Sequence, residues 1–444
     1  MENRSSLLTI KDFHSAFLDN RRDLFVYLPP GYQQNPMKRY PVLYMHDGQN
    51  IFQLAFNGYS WNVHETADRL IQEGRIEEII VVGISNMGLE RANEFTHDLE
   101  GVRYRDDKVE IRPLGQKYEN FLIEEVKPYI DAVFRTKPDA EHTALMGSSR
   151  GGQVTYHIGL RRPDIFGKLG IMSPYFYCVD PATLEEHPQY HTFDTKQPVS
   201  RIWIDVGSTE GVLVMEKHVR EVAEKLVGLG YEAERELMYL YKPDAAHVEK
   251  DWAARLASPL IYFYGNKGSG RSLSLHGSDE IGIRGPAIRL NPILETDHGL
   301  KSTLLRATYE VQDDRILEVA DDGTLVPKSE GETVVTVRHQ GLWASKAIRV
   351  VPEMPEFATL HMIVHVPPNT PNDAKIYAWF PLKCNPDKGF YENQLRIPLH
   401  AEFVFQVTRT DGAVGMDRDG KPIERRYKAA AAGTIEIRVE QWSL

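Results

Sequence analysis

Three side chains that together can run acyl transfer occur in order along the 444-residue chain: the hydroxyl of Ser149, the carboxylate of Glu210 and the imidazole of His247. A serine attacks a carbonyl only when a base takes its proton, and the base works only when an acid holds it in the right tautomer. Ser149 is the centre of Gly147-Ser-Ser-Arg-Gly151, which follows the apolar run Thr143-Ala-Leu-Met146 and precedes a helical pattern. A nucleophilic serine of this kind sits on a sharp, strained strand-to-helix turn, which needs very small residues two places before and after it. Gly147 and Gly151 supply them. Such a pentapeptide also occurs by chance in loops, so its neighbours along the chain decide its meaning.

The base must come from a loop after a late strand. His247 lies in Lys242-Pro-Asp-Ala-Ala-His247, between the last sheet strand and the final helix of the first half. Of the sixteen histidines, His157 falls mid-helix, His187 and His191 fall in a polar covering segment, and His218 lies on a helix face. None of these four follows a late strand. For the acid there are two contenders, Asp205 within the run Ile202 to Val206 and Glu210 in the turn beyond it. Asp205 would point to a helix-covered face and need a buried partner, so position favours Glu210. The oxyanion needs two fixed N–H donors, and loss of one costs about 2.7–4 kcal/mol of transition-state stabilisation. One is expected from Arg150, directly after the nucleophile, and the other from Gln49 in the loop His46-Asp-Gly-Gln49. A plain Asp-Gly turn is the bland alternative for that loop. The Arg150 guanidinium is read only as a helix-surface charge.

These residues need a scaffold that brings distant loops to one edge. Apolar strand-like runs occur at Leu24-Phe-Val-Tyr-Leu28, Tyr40-Pro-Val-Leu-Tyr-Met45, Ile79-Ile-Val-Val-Gly-Ile84, 143–148, 168–172, Arg201-Ile-Trp-Ile-Asp-Val206 and 234–241. Between them, helical spacing predicts helices over 62–74, 118–132, 150–162, 215–229 and 248–264. The alternation predicts a mostly parallel sheet with helices on both faces and a site at the carboxyl ends of the strands. Residues 86–115 show no convincing element, and 173–200, with Tyr175, Phe176 and Tyr177, read as a cover over the site. Residues 265–272 have linker composition. Beyond them helical periodicity disappears and short alternating runs separated by Asp-Gly and Gln-Gly turns predict all-β structure. The expected organisation is an α/β domain over 1–265, a linker over 266–279, and two small β-sandwiches over 280–352 and 353–444.

Composition narrows the chemistry. A net charge of -11 with no basic stripe argues against nucleic acid. Cys178 and Cys384 make neither a metal-ligand spacing nor a disulfide framework, so neither metal nor cofactor is expected. No stretch approaches the ~20 apolar residues of a membrane span. The polar start Met1-Glu-Asn-Arg-Ser5 is unlike a signal peptide, which leads us to expect a cytoplasmic protein, or the mature or trimmed form of an exported one.

Several ordered motifs carry a family resemblance: Tyr44-Met-His-Asp-Gly-Gln-Asn-Ile-Phe52, Trp61, Glu90-Arg-Ala-Asn-Glu-Phe95, Gly147-Ser-Ser-Arg-Gly-Gly152, Asp205-Val-Gly-Ser-Thr-Glu-Gly211, and His247 followed by Trp252. Across the first 265 or so residues the chain resembles the esterase family of α/β-hydrolases that groups feruloyl esterases, siderophore (enterobactin-type) esterases and S-formylglutathione hydrolases. The resemblance implies Ser149 as nucleophile, Glu210 as acid, His247 as base, and Gln49 with Arg150 as oxyanion donors. The family often has Asp where Glu210 stands. The cysteine-containing loop typical of S-formylglutathione hydrolases is absent, as is a basic cluster suited to an iron-siderophore.

Residues 303–351 resemble a bacterial Ig-like module. Residues 357–444 are weakly similar to starch-binding-type sandwiches, with Trp379-Phe-Pro-Leu-Lys in place of the usual Asn-Gly-Trp stretch. The expected activity is serine carboxylic-ester hydrolysis of small acyl esters or of acetyl or feruloyl groups on plant polysaccharide. Polysaccharide binding by the C-terminal units is a further expectation, with a structural or interaction role as its alternative. A non-catalytic binding protein, and a peptidase or acyltransferase on the same scaffold, are the rival readings.

Overall fold

Side chains alternate across a strand, so an apolar strand between two helical layers feeds two cores at once. The computed structural model describes residues 4–443 other than 56, 103, 105–109, 181, 182, 184, 212–215 and 387, and the expected helix start at Met215 lies outside them. Its first strands are β1 (Ser6–Ser15), β2 (Asn20–Leu28), β3 (Val42–His46), β4 (Ile80–Ile84), β5 (Thr143–Ser148) and β6 (Lys168–Met172). A small hairpin follows, β7 (Tyr177–Val179) with β8 (Glu186–Pro188), and then β9 (Arg201–Gly207) and β10 (Leu237–Lys242). After these come β11 (Gly270–His276), β12 (Glu280–Arg284), β13 (Asn291–Thr296) and β14 (Lys301–Thr303). One eleven-stranded sheet runs in the order β1-β2-β4-β3-β5-β6-β9-β10-β14-β13-β11. Its six central strands, β4 to β10 in that order, are parallel, and the flanking strands are antiparallel.

Two cores lie on opposite faces. Leu145, Ile171, Ile204 and Tyr239 pack with the helices of 115–133, Arg150–Arg161 and Glu216–Gly228. Met146, Met172, Trp203 and Leu240 pack with Val63–Gln72, Glu249–Arg255 and Ala257–Tyr264. Each such residue, fully buried, contributes roughly 1.5–3 kcal/mol. The sheet is therefore rigid where the site loops leave it.

Four expectations are corrected. The helix expected over 248–264 is two helices meeting at Leu256, because the Pro259 ring takes the place of an N–H bonded to the Arg255 carbonyl. The stretch 86–115 carries a short helix at Arg91–Glu94. The linker expected over 266–279 contains β11, whose alternating Leu273 and Leu275 pair antiparallel with β13. Residues 291–303, read as part of the first sandwich, instead supply β13 and β14 to the main sheet. What remains of that unit is the sheet of β12, Leu342–Glu353, Gly331–His339 and Thr308–Val311, over a small core that includes Ile281, Leu317, Val335 and Ile348. Residues 357–438 build a separate seven-stranded sheet around Leu360, Met362, Phe403, Phe405 and Val407. No helix among the described residues is long and apolar enough to cross a membrane.

Candidate active site

β5 ends at Ser148, and the next residue breaks both strand and helix geometry. Ser149 has φ 59° and ψ −125°, a region a side chain enters only when its surroundings hold it there. Its N–H donates to Met172 O at 3.0 Å, and its carbonyl accepts from Gln153 N at 3.0 Å and Tyr175 N at 3.1 Å. The neighbouring glycines are required by contact. A Cβ on Gly147 would lie 2.8 Å from Gly151 backbone, and one on Gly152 would lie 2.8 Å from Met172 O. One on Gly151 would meet Asp47 Oδ2 at 3.3 Å, so Gly152 is more tightly constrained than the expected Gly151. The Arg150 side chain is buried, with its guanidinium over the Tyr175 ring at 4.7 Å, and is not the surface charge expected.

Glu210 and His247 lie on loops that leave β9 and β10, the second and third strands over from β5. Glu210 follows β9 by three residues and His247 follows β10 by five, at the same carboxyl edge as Ser149. Glu210 Oε2 accepts from His247 Nδ1 at 2.9 Å, with the glutamate fully buried and the imidazole 15% exposed. That bond leaves His247 Nε2 as the nitrogen for a hydroxyl. No Ser149–His247 hydrogen bond is made among the described residues, and such bonds commonly tighten only when substrate is bound. The His247 ring stands edge-on to Trp252, centroids 5.0 Å apart.

The other oxygen, Glu210 Oε1, accepts from Ser173 Oγ at 2.7 Å, Gly207 N at 2.6 Å and Arg255 Nη2 at 3.1 Å. Ser173 Oγ also receives Trp252 Nε1 at 2.9 Å and Arg255 Nη2. Both its lone pairs are used, so its one proton must go to Glu210. Burial pushes the Glu210 carboxyl up, but His247 and Arg255 hold it below the ordinary value, so it is ionised near neutrality. Asp205, the other contender, faces away from the imidazole: it binds Trp203 Nε1 at 2.7 Å and Arg255 Nε at 3.1 Å. Burial raises its carboxyl above the ordinary value against the pull of Arg255.

Opposite the serine turn, Asp47 adopts φ 58° and opens the short helix Gly48–Phe52. Gly48 is pressed on β4, where a Cβ would lie 2.5 Å from the Gly83 carbonyl carbon. The N–H groups of Gln49 and Arg150 therefore both belong to first helical turns, which lack a preceding carbonyl of their own helix. The Gln49 side chain is tied to Asn86. Arg91 grips Asp47 through two bonds, at 2.6 and 2.8 Å, and reaches Ser148 O at 3.3 Å. Glu94 pairs with buried Arg22. Arg91 and Glu94 thus brace the scaffold through separate partners.

Ser173 and Arg255 were missed from the sequence. The signal for Arg255 was its place three residues after Trp252 on one helix face, and Ser173 had none beyond its place after β6. A cavity of about 640 Å³ lies beside the Glu210 turn. It is lined by Gly207, Ser208 and Gly211 from the turn, and by Arg289, His400 and Glu402 from the β units. Neither Ser149 nor His247 lines it.

The mixed sheet, the strained serine turn at the end of β5 and the loops after β9 and β10 define an α/β-hydrolase. The profile of the family described as "Putative esterase" matches residues 15–263, more than half of the chain, and the chain belongs to that family. The chain is 32% identical over 218 residues to an endo-1,4-beta-xylanase/feruloyl esterase of Xylanibacter ruminicola, a match covering 47% of the chain but only 25% of that protein. It is 24% identical over 256 residues to the uncharacterized protein YbbA of Bacillus subtilis, covering 56% of the chain and 95% of that protein. Among solved structures, a ferulic acid esterase from Anaeromyces mucronatus in complex with ferulic acid is 21% identical, with 58% of this chain and 90% of that chain covered at a TM-score of 0.43.

Proposed function

We propose that the chain is a serine carboxylic-ester hydrolase. Ser149 Oγ attacks the ester carbonyl and passes its proton to His247 Nε2, while Glu210 holds the Nδ1 proton and steadies the imidazolium. The N–H groups of Gln49 and Arg150 receive the oxyanion. The alcohol leaves with the proton of His247, and water repeats the sequence on the acyl-enzyme. The observation that carries this reading is the buried Glu210–His247 pair on loops that leave the same carboxyl edge of the sheet as Ser149.

For the substrate, we propose acyl esters of carbohydrate, feruloyl or acetyl groups on a plant polysaccharide among them. The support is the 32% identity to a protein named for xylanase and feruloyl esterase activities. The test uses p-nitrophenyl acetate and butyrate, methyl ferulate and feruloylated xylan fragments, with the intact chain and with Ser149→Ala. The intact chain is expected to release ferulate, and Ser149→Ala to lose roughly 10³-fold or more of the rate. An inactive intact chain, or a Ser149→Ala variant at full rate, overturns the mechanism. Activity confined to the nitrophenyl esters overturns the substrate assignment alone.

A further inference from the structure

The turn bearing Glu210 does not end in solvent. Gly211 N donates to Glu402 O at 3.1 Å, and Glu210 forms an antiparallel bridge with Phe403, a fully buried core residue of the C-terminal sheet. Gly211 has φ +68°, and a Cβ there would lie 2.8 Å from Phe403 Cβ and 2.9 Å from Trp379 Nε1. The Trp379 ring is stacked on Phe403, centroids 5.7 Å apart and 19° between planes. Trp379 is held at φ 69°, in a one-residue reversal between Ile376–Ala378 and Phe380–Asn385. Its Nε1 is buried with no hydrogen-bond partner among the described residues.

A large side chain in a left-handed conformation is strained and persists where its surroundings over-determine it. Here the position places an indole against the glycine next to Glu210. The loop of His247 is tied to the same sheet. Arg426 binds Asp244 Oδ1 at 2.7 Å and also Glu402, and Lys250 binds Glu424 at 3.1 Å. These charged pairs are exposed or half-buried at the surface, and each contributes little. The backbone bridge and the aromatic stack are the rigid part of the contact.

We infer that the C-terminal sheet is a working part of the hydrolytic centre, and that Trp379 is a positioning residue that holds the Gly211–Glu210 turn and, through it, His247. This rests on the ester-hydrolase reading above. In that geometry the C-terminal unit acts on turnover, as well as on any binding it does.

The test uses the full chain and three variants, Trp379→Ala, Trp379→Phe and Gly211→Ala. Kinetics on p-nitrophenyl acetate are paired with proton NMR of the hydrogen-bonded His247 Nδ1–H, a signal independent of turnover. A misplacement of about 1 Å at a reacting group costs roughly 10²-fold. Trp379→Ala and Gly211→Ala are therefore expected to lower kcat about 10- to 100-fold with KM within about twofold, and to broaden or abolish the imidazole N–H resonance. Trp379→Phe, which keeps a ring on Phe403, recovers most of both. Gly211→Ala removes no side chain from the C-terminal sheet, so it decides the matter if Trp379→Ala does not fold. Wild-type kcat and an unchanged resonance in folded Trp379→Ala or Gly211→Ala overturn the inference. If the wild type hydrolyses no ester, the functional reading fails, and the resonance in the variants still decides whether the sheet positions His247.

Discussion

Replacement of Glu210 by glutamine puts the tautomer argument to a direct test. In the structure Oε1 of Glu210 accepts three hydrogen bonds, from the Ser173 hydroxyl, the Gly207 N–H and the Arg255 guanidinium. The Ser173 hydroxyl cannot reverse, because its lone pairs already receive Trp252 and Arg255. A glutamine in this place must present its carbonyl oxygen to those donors, which turns its NH2 toward His247 Nδ1. The imidazole then accepts at Nδ1 and carries its proton on Nε2, where it can no longer take one from Ser149. Loss of the right tautomer in a serine triad costs about 10⁴-fold in kcat, equivalent to about 5.5 kcal/mol of barrier. Steady-state hydrolysis of p-nitrophenyl acetate near pH 8 measures it, with circular dichroism confirming the fold. Asp205→Asn serves as the control, since Asp205 makes no contact with His247, and is expected to lose less than about tenfold. A Glu210→Gln variant within tenfold of wild type, or an Asp205→Asn variant as impaired as Glu210→Gln, would refute the reasoning.

Two further outcomes follow from buried groups. Arg255 lies between Asp205 and Glu210 with about 1% of its side chain exposed, so Arg255→Met leaves two carboxylates close together and uncompensated; urea unfolding is expected to show a loss of about 3–5 kcal/mol. His46 is buried against Tyr118, at 2.8 Å, and burial lowers its pKa to about 3. The unfolded chain binds that proton more readily, so stability is full above about pH 6.5 and falls as the pH drops toward 3, by up to about 1.4 kcal/mol per unit. His46→Gln is expected to flatten that slope between pH 6.5 and 5, and an unchanged slope would remove His46 as its cause.

The parts of the site that follow chain-local rules could be read from the sequence. Ser149 is legible because a strained strand-to-helix turn demands glycines, and Gly147 and Gly152 are where the backbone leaves no room for a Cβ. Glu210 and His247 are legible as residues just past the ends of strands. Ser173 and Arg255 are not, because their role depends on one hydroxyl that receives two donors from the helix Glu249–Arg255 and donates to Glu210 in the turn after β9. The stretch Gly270–His276 has the Gly and Ser content of a linker, yet its Leu273 and Leu275 recur every second residue, and that period prevailed once β13 offered a partner. Trp379 stood out only as a departure from a familiar pattern. Its contact with Gly211 joins residues far apart in sequence, and no local period reports such a contact.

The antiparallel addition at β10 bears on where this chain can be cut. β10 would be the exposed margin of the parallel sheet, with a row of unpaired N–H and C=O groups beside Met238 and Leu240. β14 covers that margin through the Tyr239–Thr303 pair and a bond from Tyr241 N to Thr303 Oγ1 at 2.9 Å. Open margins of this kind template pairing with other chains. A fragment ending near residue 265, where composition changes, would carry Ser149, Glu210 and His247 and still expose a sticky edge. The smallest fragment with that edge sealed extends past Thr303, so the hydrolase shares one sheet with the strands after it despite the change of style between them.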